Sequence, residues 1–440
     1  MVHAQREGFW PWGWSRRAVA AAIGIAAATV VATGPAQAAS KVTIRYQYWG
    51  GAPEIAIVEQ VVNQFMKEHP NIEVKAENVP YPGYSERTTA LIAAGTAPDV
   101  LNVPVQMFAQ LAAQGAFHDL GQLAKQDKSF DLEEYILPAR MVFTYNGKLE
   151  ALPREFGPMM MFYGKQMFDE KGLPYPDADW TWDTFLSDAQ KLTRDLDGDG
   201  KIDRFFFAGS SWIDVYLPFL WGAGGDILDK SGKYAVVDQP AAVKGLQFYA
   251  DLFLKYHVSP TLAESSSRVN VTDWFTRNQI AVYPTFRAGT TVFLKQKGFD
   301  FDVAPFPKGP GGYATIVEPV GVAITTQTTG DKLEAAWEFA KYMTGPVGVT
   351  IMTEQNLIVP AIVSVAKSNA FITPNVPPAH DLAFIQMQPY ARVVPMVPQW
   401  PTLSQLLGAQ MNAVLQGQET VSNAMKKAAE QMNQALVKQR

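Results

Sequence analysis

The sequence predicts an α/β protein built as two lobes. Three observations predict it: strand-like and helix-like segments alternate from Lys41 onward, a second set of apolar strand patterns follows Arg154, and 440 residues with 48% hydrophobic content suffice for two or three domain-sized cores. Val42, Ile44, Tyr46 and Tyr48 alternate with polar residues, the period of a half-buried strand. Val58, Val61, Val62 and Phe65 then fall at helical spacing until Pro70 stops the helix. Ile72 and Val74 open a second strand, residues 84–94 read as a helix with Gly95 at its C-terminal side, and residues 99–103 read as a third strand. Residues 106–114 form another helix, closed by Gly115.

Strands alternating with helices imply a mostly parallel sheet covered on both faces, whose ligands sit beyond the carboxyl ends of its strands. That rule singles out Trp49, Gly50 and Gly51 after the first strand, and Asn102 at the end of the third. Asp99 reads as structural, its carboxylate closing the Pro98 turn. The second sheet is expected to include residues 159–163 and 280–283, with Thr285, Phe286 and Arg287 beyond the carboxyl end of the latter. Segment 402–438 is helical in pattern, and core packing explains its stripe of Leu403, Leu406, Leu407, Met411 and Leu415.

The N-terminus reads as a processing segment. Arg16 and Arg17 precede an apolar run over 18–33, and Gly34-Pro35 leads into Ala36-Gln37-Ala38, so a signal peptide over residues 1–38 cleaved after Ala38 is expected. The run is shorter than the ~20 residues a membrane span requires. Ser15-Arg16-Arg17 is also similar to a twin-arginine signal, leaving the export route open. The formal net charge of -5 is spread without a basic run, which argues against nucleic acid as a partner. The absence of cysteine excludes disulfides, thiolate catalysis and a lipid-modified N-terminal cysteine.

Short motifs recur in order behind this segment: AAGTAPDVLNV at 93–103, YNGKLEALP at 145–153, the run 159–192 with its Thr-Trp-Asp helix start, FLWGAGGDIL at 219–228, VAPFPKGPGG at 303–312 and EAAWEFAKYMTGP at 334–346. This ladder resembles the bacterial extracellular solute-binding proteins that serve sugar ABC transporters. It departs at Gly164, where relatives carry asparagine. The resemblance implies a periplasmic-binding-protein-like fold, two α/β lobes joined by a hinge around a ligand cleft. It implies lobe I over 39–154 plus 309–358 and lobe II over 155–308 plus 359–440, with crossings near Phe306 and Val359. It further implies a monomeric, non-enzymatic receptor outside the cytoplasm that delivers a mono- or oligosaccharide to membrane permease subunits and requires no cofactor. A polyol or glycerol phosphate ester is the alternative ligand.

A sugar presents apolar C–H faces and a rim of hydroxyls, so its site needs flat aromatic surfaces flanked by charged or amide groups. Among eleven tryptophans and sixteen tyrosines, the aromatic candidates are Trp49, Tyr84, Trp212, Trp221 and Trp400, joined by Phe286. Gly50, in the turn immediately after the first strand, is also a candidate, and Asn102, Arg287 and Glu318 are the polar candidates. Arg287 would suit an anionic head group. Trp182 and Trp337 lie at motif positions that read as structural.

Residues 195–203, DLDGDGKID, reproduce the first part of an EF-hand loop: Asp195, Asp197 and Asp199 at alternate positions, glycine sixth, the Lys201 carbonyl seventh and Asp203 ninth. Phe206 stands where the bidentate glutamate would be. A similar loop in alginate-binding relatives implies a structural Ca2+; a solvated acidic turn is the competing reading. Catalytic constellations are thin. None of the five histidines has a histidine partner at metal-binding spacing, and the glycine runs match neither phosphate-loop pattern. An exported carbohydrate-active enzyme, needing only two carboxylates, is the rival function.

Overall fold

A computed structural model describes residues 41–265 and 268–438, so the expected signal peptide lies outside the described residues. In chain order the strands of the N-terminal half are β1 (Val42–Tyr48), β2 (Ile72–Asn78), β3 (Val100–Pro104), β4 (Thr144–Tyr145), β5 (Lys148–Leu149), β6 (Leu152–Glu155) and β7 (Met160–Gly164). They are followed by β8 (Phe205–Phe207), β9 (Ile280–Thr285), β10 (Phe301–Ala304), β11 (Thr315–Ile316), β12 (Val320–Ile324) and β13 (Ala391–Arg392).

Two sheets make the two lobes. The first has the order β2-β1-β3-β12-β6. Ile44, Tyr46 and Tyr48 of β1 are buried as the alternation predicts, but Gln47 between them is buried too, its amide nitrogen donating to Thr88 at 2.6 Å, and Val42 is half-buried. Helix Ala52–Glu68 lays Ile57, Val58, Val61, Val62 and Phe65 into the core. β1 runs parallel to β2, with Val42 opposite Ile72, and parallel to β3. The expected parallel order is broken by β12, which inserts antiparallel between β3 and β6. Asp99 also behaves differently from expectation: its carboxylate accepts from the Arg45 backbone N–H at 2.8 Å and from Thr328 at 3.1 Å. It therefore ties the start of β3 to its neighbours rather than closing its own turn.

In the second sheet, β10-β7-β9-β8, β7 pairs antiparallel with both β10 and β9, and β8 pairs parallel with β9. Helices Ile213–Gly222 and Pro240–Leu254 cover it at close range; a Cβ on Gly245 would lie 2.4 Å from the Phe219 carbonyl oxygen, so only glycine permits that crossing. The C-terminal segment forms two helices, Trp400–Leu415 and Val421–Lys438. Leu403, Leu407, Met411 and Leu415 join the second-lobe core, while Leu406 is partly buried against it.

Three chain crossings between the sheets lie side by side. Phe156 N–H donates to the Val359 carbonyl at 3.0 Å, Pro158 bridges Val317, and Met159 N–H donates to the Ile316 carbonyl at 2.8 Å. These ladders form the hinge. Residues 309–317 remain with the second lobe, because Ile316 is in its core and β11 pairs with β13, so the chain enters the first sheet at Val320 rather than near Phe306. The third crossing passes through Val359, whose carbonyl accepts from Phe156. Both sheets belong to one compact unit, Lys41–Arg440.

Candidate functional site

A cleft of about 680 Å³ opens at the ends of β1 and β3 in the first lobe and of β9 in the second, floored by hinge residues. Trp49, Gly50 and Gly51 line it because β1 ends at Tyr48 and the chain must turn into helix Ala52–Glu68. The Gly51 N–H donates to Glu54 at 2.6 Å, closing the first turn of that helix and holding the Glu54 carboxylate at the rim. Trp49 meets the edge of Tyr84 at a ring-centre distance of 4.8 Å and tilts against Tyr81 at 5.6 Å. Tyr81 joins it in the lining.

On the second-lobe side, Trp212 and Phe286 form an edge-to-face pair at 5.8 Å. Trp212 caps the helix beginning at Ile213, and Phe286 follows the last residue of β9. Each therefore stands at an element terminus with a ring facing the opening.

The remaining candidates divide clearly. Glu318 and Arg287 line the cleft. Tyr84 and Asn102 do not. They form the layer behind Trp49, with the Tyr84 hydroxyl donating to the Asn102 carbonyl at 2.7 Å and the Tyr46 hydroxyl donating to Asn102 Oδ1 at 2.7 Å. Trp400 is 2% exposed inside the second-lobe core. Trp221 is buried under the Arg392 guanidinium, 4.9 Å from its ring centre, and borders a separate recess with Asp226. Arg287 is already partnered: Nη1 pairs with Asp381 and Nη2 donates to Asn356 at 2.7 Å.

The floor carries a pair that strand patterns alone do not reveal. Arg154 Nη2 lies 3.0 Å from Glu155 Oε1, both side chains largely buried at the end of β6. Burial pushes the Glu155 carboxyl up against the opposing pull of Arg154. Burial also works against the Arg154 charge, yet Glu155, Tyr46 and Glu54 together hold that guanidinium above its ordinary value. The available signal was compositional: adjacent charges between an apolar strand and Gly157-Pro158, at the boundary of the lobes.

Apart from the cleft, Asp195, Asp197 and Asp203 bring carboxylate oxygens within 4.8 Å of one another. Gly200 and Gly198 donate backbone N–H groups to Asp195 and hold its carboxyl below the usual range. Asp203 accepts from Leu196 at 2.6 Å. Asp199 turns instead toward Lys201, accepting its backbone N–H at 2.8 Å and standing 3.5 Å from its ammonium.

The sequence pattern of one family, the bacterial extracellular solute-binding proteins, matches residues 49–350, more than half of the chain. The protein is a member of that family. This solute-binding protein is 23% identical over 382 residues to a galactooligosaccharide-binding protein of Bacillus subtilis, covering 85% of each chain. It is 24% identical over 384 residues to a putative binding protein of Brucella abortus, covering 86% of this chain and 90% of the other. Its fold is similar to that of an ABC substrate-binding protein of Listeria monocytogenes in complex with cycloalternan, with a TM-score of 0.83 and 24% identity over 90% of this chain and 99% of that one. The maltose-bound protein MalE3 of T. maritima is similar at a TM-score of 0.77 and 25% identity, covering 88% and 98%. These matches establish the two-lobe fold of the solute-binding protein.

Proposed function

We propose that this protein is the extracytoplasmic receptor of an ABC importer, capturing a mono- or oligosaccharide between its lobes and handing it to membrane permease subunits. The observation that carries the reading is the cleft itself, where Trp49 and Tyr81 on one lobe face Trp212 and Phe286 on the other. Aromatic faces on both walls match the C–H faces of a sugar ring, and the Glu54, Arg154, Glu155 and Glu318 groups match its hydroxyl rim. A solute touching both walls favours closure by its differential affinity for the closed state. The ligands of its relatives, galactooligosaccharide, cycloalternan and maltose, support a carbohydrate. Prior engagement of Arg287 by Asp381 favours an uncharged sugar over a phosphate ester.

Titration of the mature protein with maltose, cycloalternan and galactooligosaccharides tests this, with recovery of the unchanged compound separating a receptor from a hydrolase. Trp49→Ala is expected to weaken the binding found by about 10- to 100-fold while the thermal midpoint barely moves. Unaltered affinity would remove Trp49 from the site. The reading includes monomeric action and export by the cleaved segment 1–38; among the described residues no helix is long and apolar enough to cross a membrane.

We also propose that the 195–203 loop holds a structural Ca2+ through Asp195, Asp197 and Asp203. The convergent oxygens suit a hard cation, and backbone N–H donors already fix all three carboxylates. Asp197→Ala should abolish any rise in thermal midpoint on adding CaCl2 after EDTA treatment; a midpoint indifferent to calcium in the parent protein would sink the ion.

A further inference from the structure

Arg287 stands in the cleft lining, but the rest of its side chain is built into the seam between the lobes. On the second-lobe side it is anchored by the ion pair with Asp381 and by two aromatic rings, Phe371 and Phe384, whose centres lie 5.1 and 5.4 Å from the guanidinium carbon. Asp381 is itself fixed, since Oδ2 accepts from the Thr373 backbone N–H at 3.1 Å and from its hydroxyl at 2.9 Å. The anchor is therefore rigid.

The other end reaches a different lobe. Nη2 donates to Asn356 Oδ1 at 2.7 Å, and Asn356 follows helix Pro346–Glu354 immediately before Leu357 and Ile358, both in the first-lobe core. Asn356 adopts a left-handed backbone, φ 61°, which turns the chain from that helix into the third hinge crossing. On either side of Arg287, Phe286 faces the cleft beside Trp212, while Ala288 packs against the first-lobe core. One short turn thus touches the second-lobe wall, the first-lobe core and the hinge.

We propose that the Arg287–Asn356 hydrogen bond is an interlobe strap that sets the angle of the cleft, with Asn356 a positioning residue for solute capture. The strap locks the Phe286 wall in register with the hinge segment 357–361, so a solute meets walls already placed for closure. Its energetic basis is a hydrogen bond from a buried cation to a half-buried amide oxygen, stronger than a neutral one. The consequence for solute retention rests on the receptor reading given above, whereas the strap's effect on lobe angle does not.

The test uses two variants of the full mature protein. Asn356→Gly deletes the acceptor at a position whose left-handed backbone glycine accommodates without strain, and Asn356→Asp keeps an oxygen acceptor there. Small-angle scattering of the empty protein reads the lobe angle, and stopped-flow release of maltose, cycloalternan or galactooligosaccharide reads retention. Asn356→Gly is expected to open the scattering envelope and speed release roughly tenfold, with Asn356→Asp restoring both and thermal midpoints staying close to the parent's. Parent-like scattering in Asn356→Gly overturns the strap. So does failure of Asn356→Asp to restore the envelope, which would place the effect in the backbone turn. If the parent binds no carbohydrate, the receptor reading fails while scattering still decides the strap.

Discussion

The two walls of the cleft are supported in different ways. Behind Trp49, the first lobe uses neutral hydrogen bonds between buried side chains and backbone: Tyr84 to Asn102, Tyr46 to Asn102, and Gln47 to Thr88. Behind Phe286, the second lobe uses a buried ion pair, Arg287 with Asp381, flanked by His380 bonded to the buried Asp302. Neutral networks lose little when one member is trimmed; a buried charge stripped of its partner is costly. The first wall should thus be forgiving and the second brittle, although both present tryptophan to the same space.

The largest expected effect breaks the brittle side. Arg287→Leu leaves the Asp381 carboxylate buried without its cation and should cost about 3–5 kcal/mol in urea unfolding. Adding Asp381→Leu should recover most of that loss; a double variant as unstable as the single would show that packing by Phe371 and Phe384, not charge, supports this wall.

A second test asks whether the first lobe carries a charge liability of its own. Glu150 is 5% exposed, and burial pushes its carboxyl up to about 7, against the pull of Lys148 and with some help from Asp119. Because the folded-state value is raised, the favourable contribution is complete below the unfolded value near 4.5 and is lost as pH rises through about 7. Glu150→Gln should therefore raise stability by roughly 1–2 kcal/mol at pH 8 and by nearly nothing at pH 4. A gain independent of pH would contradict this assignment.

The smallest effect samples the neutral network. Tyr84→Phe removes one donor from the Asn102 carbonyl and should cost about 1 kcal/mol in stability. Solute affinity should change less than twofold, because Trp49 retains the ring edge against which it packs. An affinity loss matching that of Trp49→Ala would move Tyr84 from support into contact.

Legibility from sequence followed the same division. The first wall arises within one local strand-turn-helix unit, so the end of β1 points directly to Trp49, Gly50 and Gly51. Tyr84 and Asn102 were close in sequence to cleft-lining turns, but side-chain direction decided their place. A residue at a strand end can face the cleft or the layer behind it, and periodicity does not distinguish these outcomes. Trp221 and Trp400 were attractive for their chemistry alone, and core packing claimed both. Arg154 marks a boundary in the sequence, but its pairing with Glu155 as a site is not legible there, because two adjacent charges gain meaning only when three distant hinge segments converge on them.

By itself the sequence determined the alternation of elements, the two lobes and the family, since each depends on local periodicity or on short motifs in order. Only tertiary structure decided that β12 inserts antiparallel into the first sheet, that the chain enters that sheet at Val320, and that Arg287 bonds Asp381 and Asn356. Those outcomes join residues tens to hundreds of positions apart. Their energies come from burial and partnership, which do not exist until the separate segments have packed.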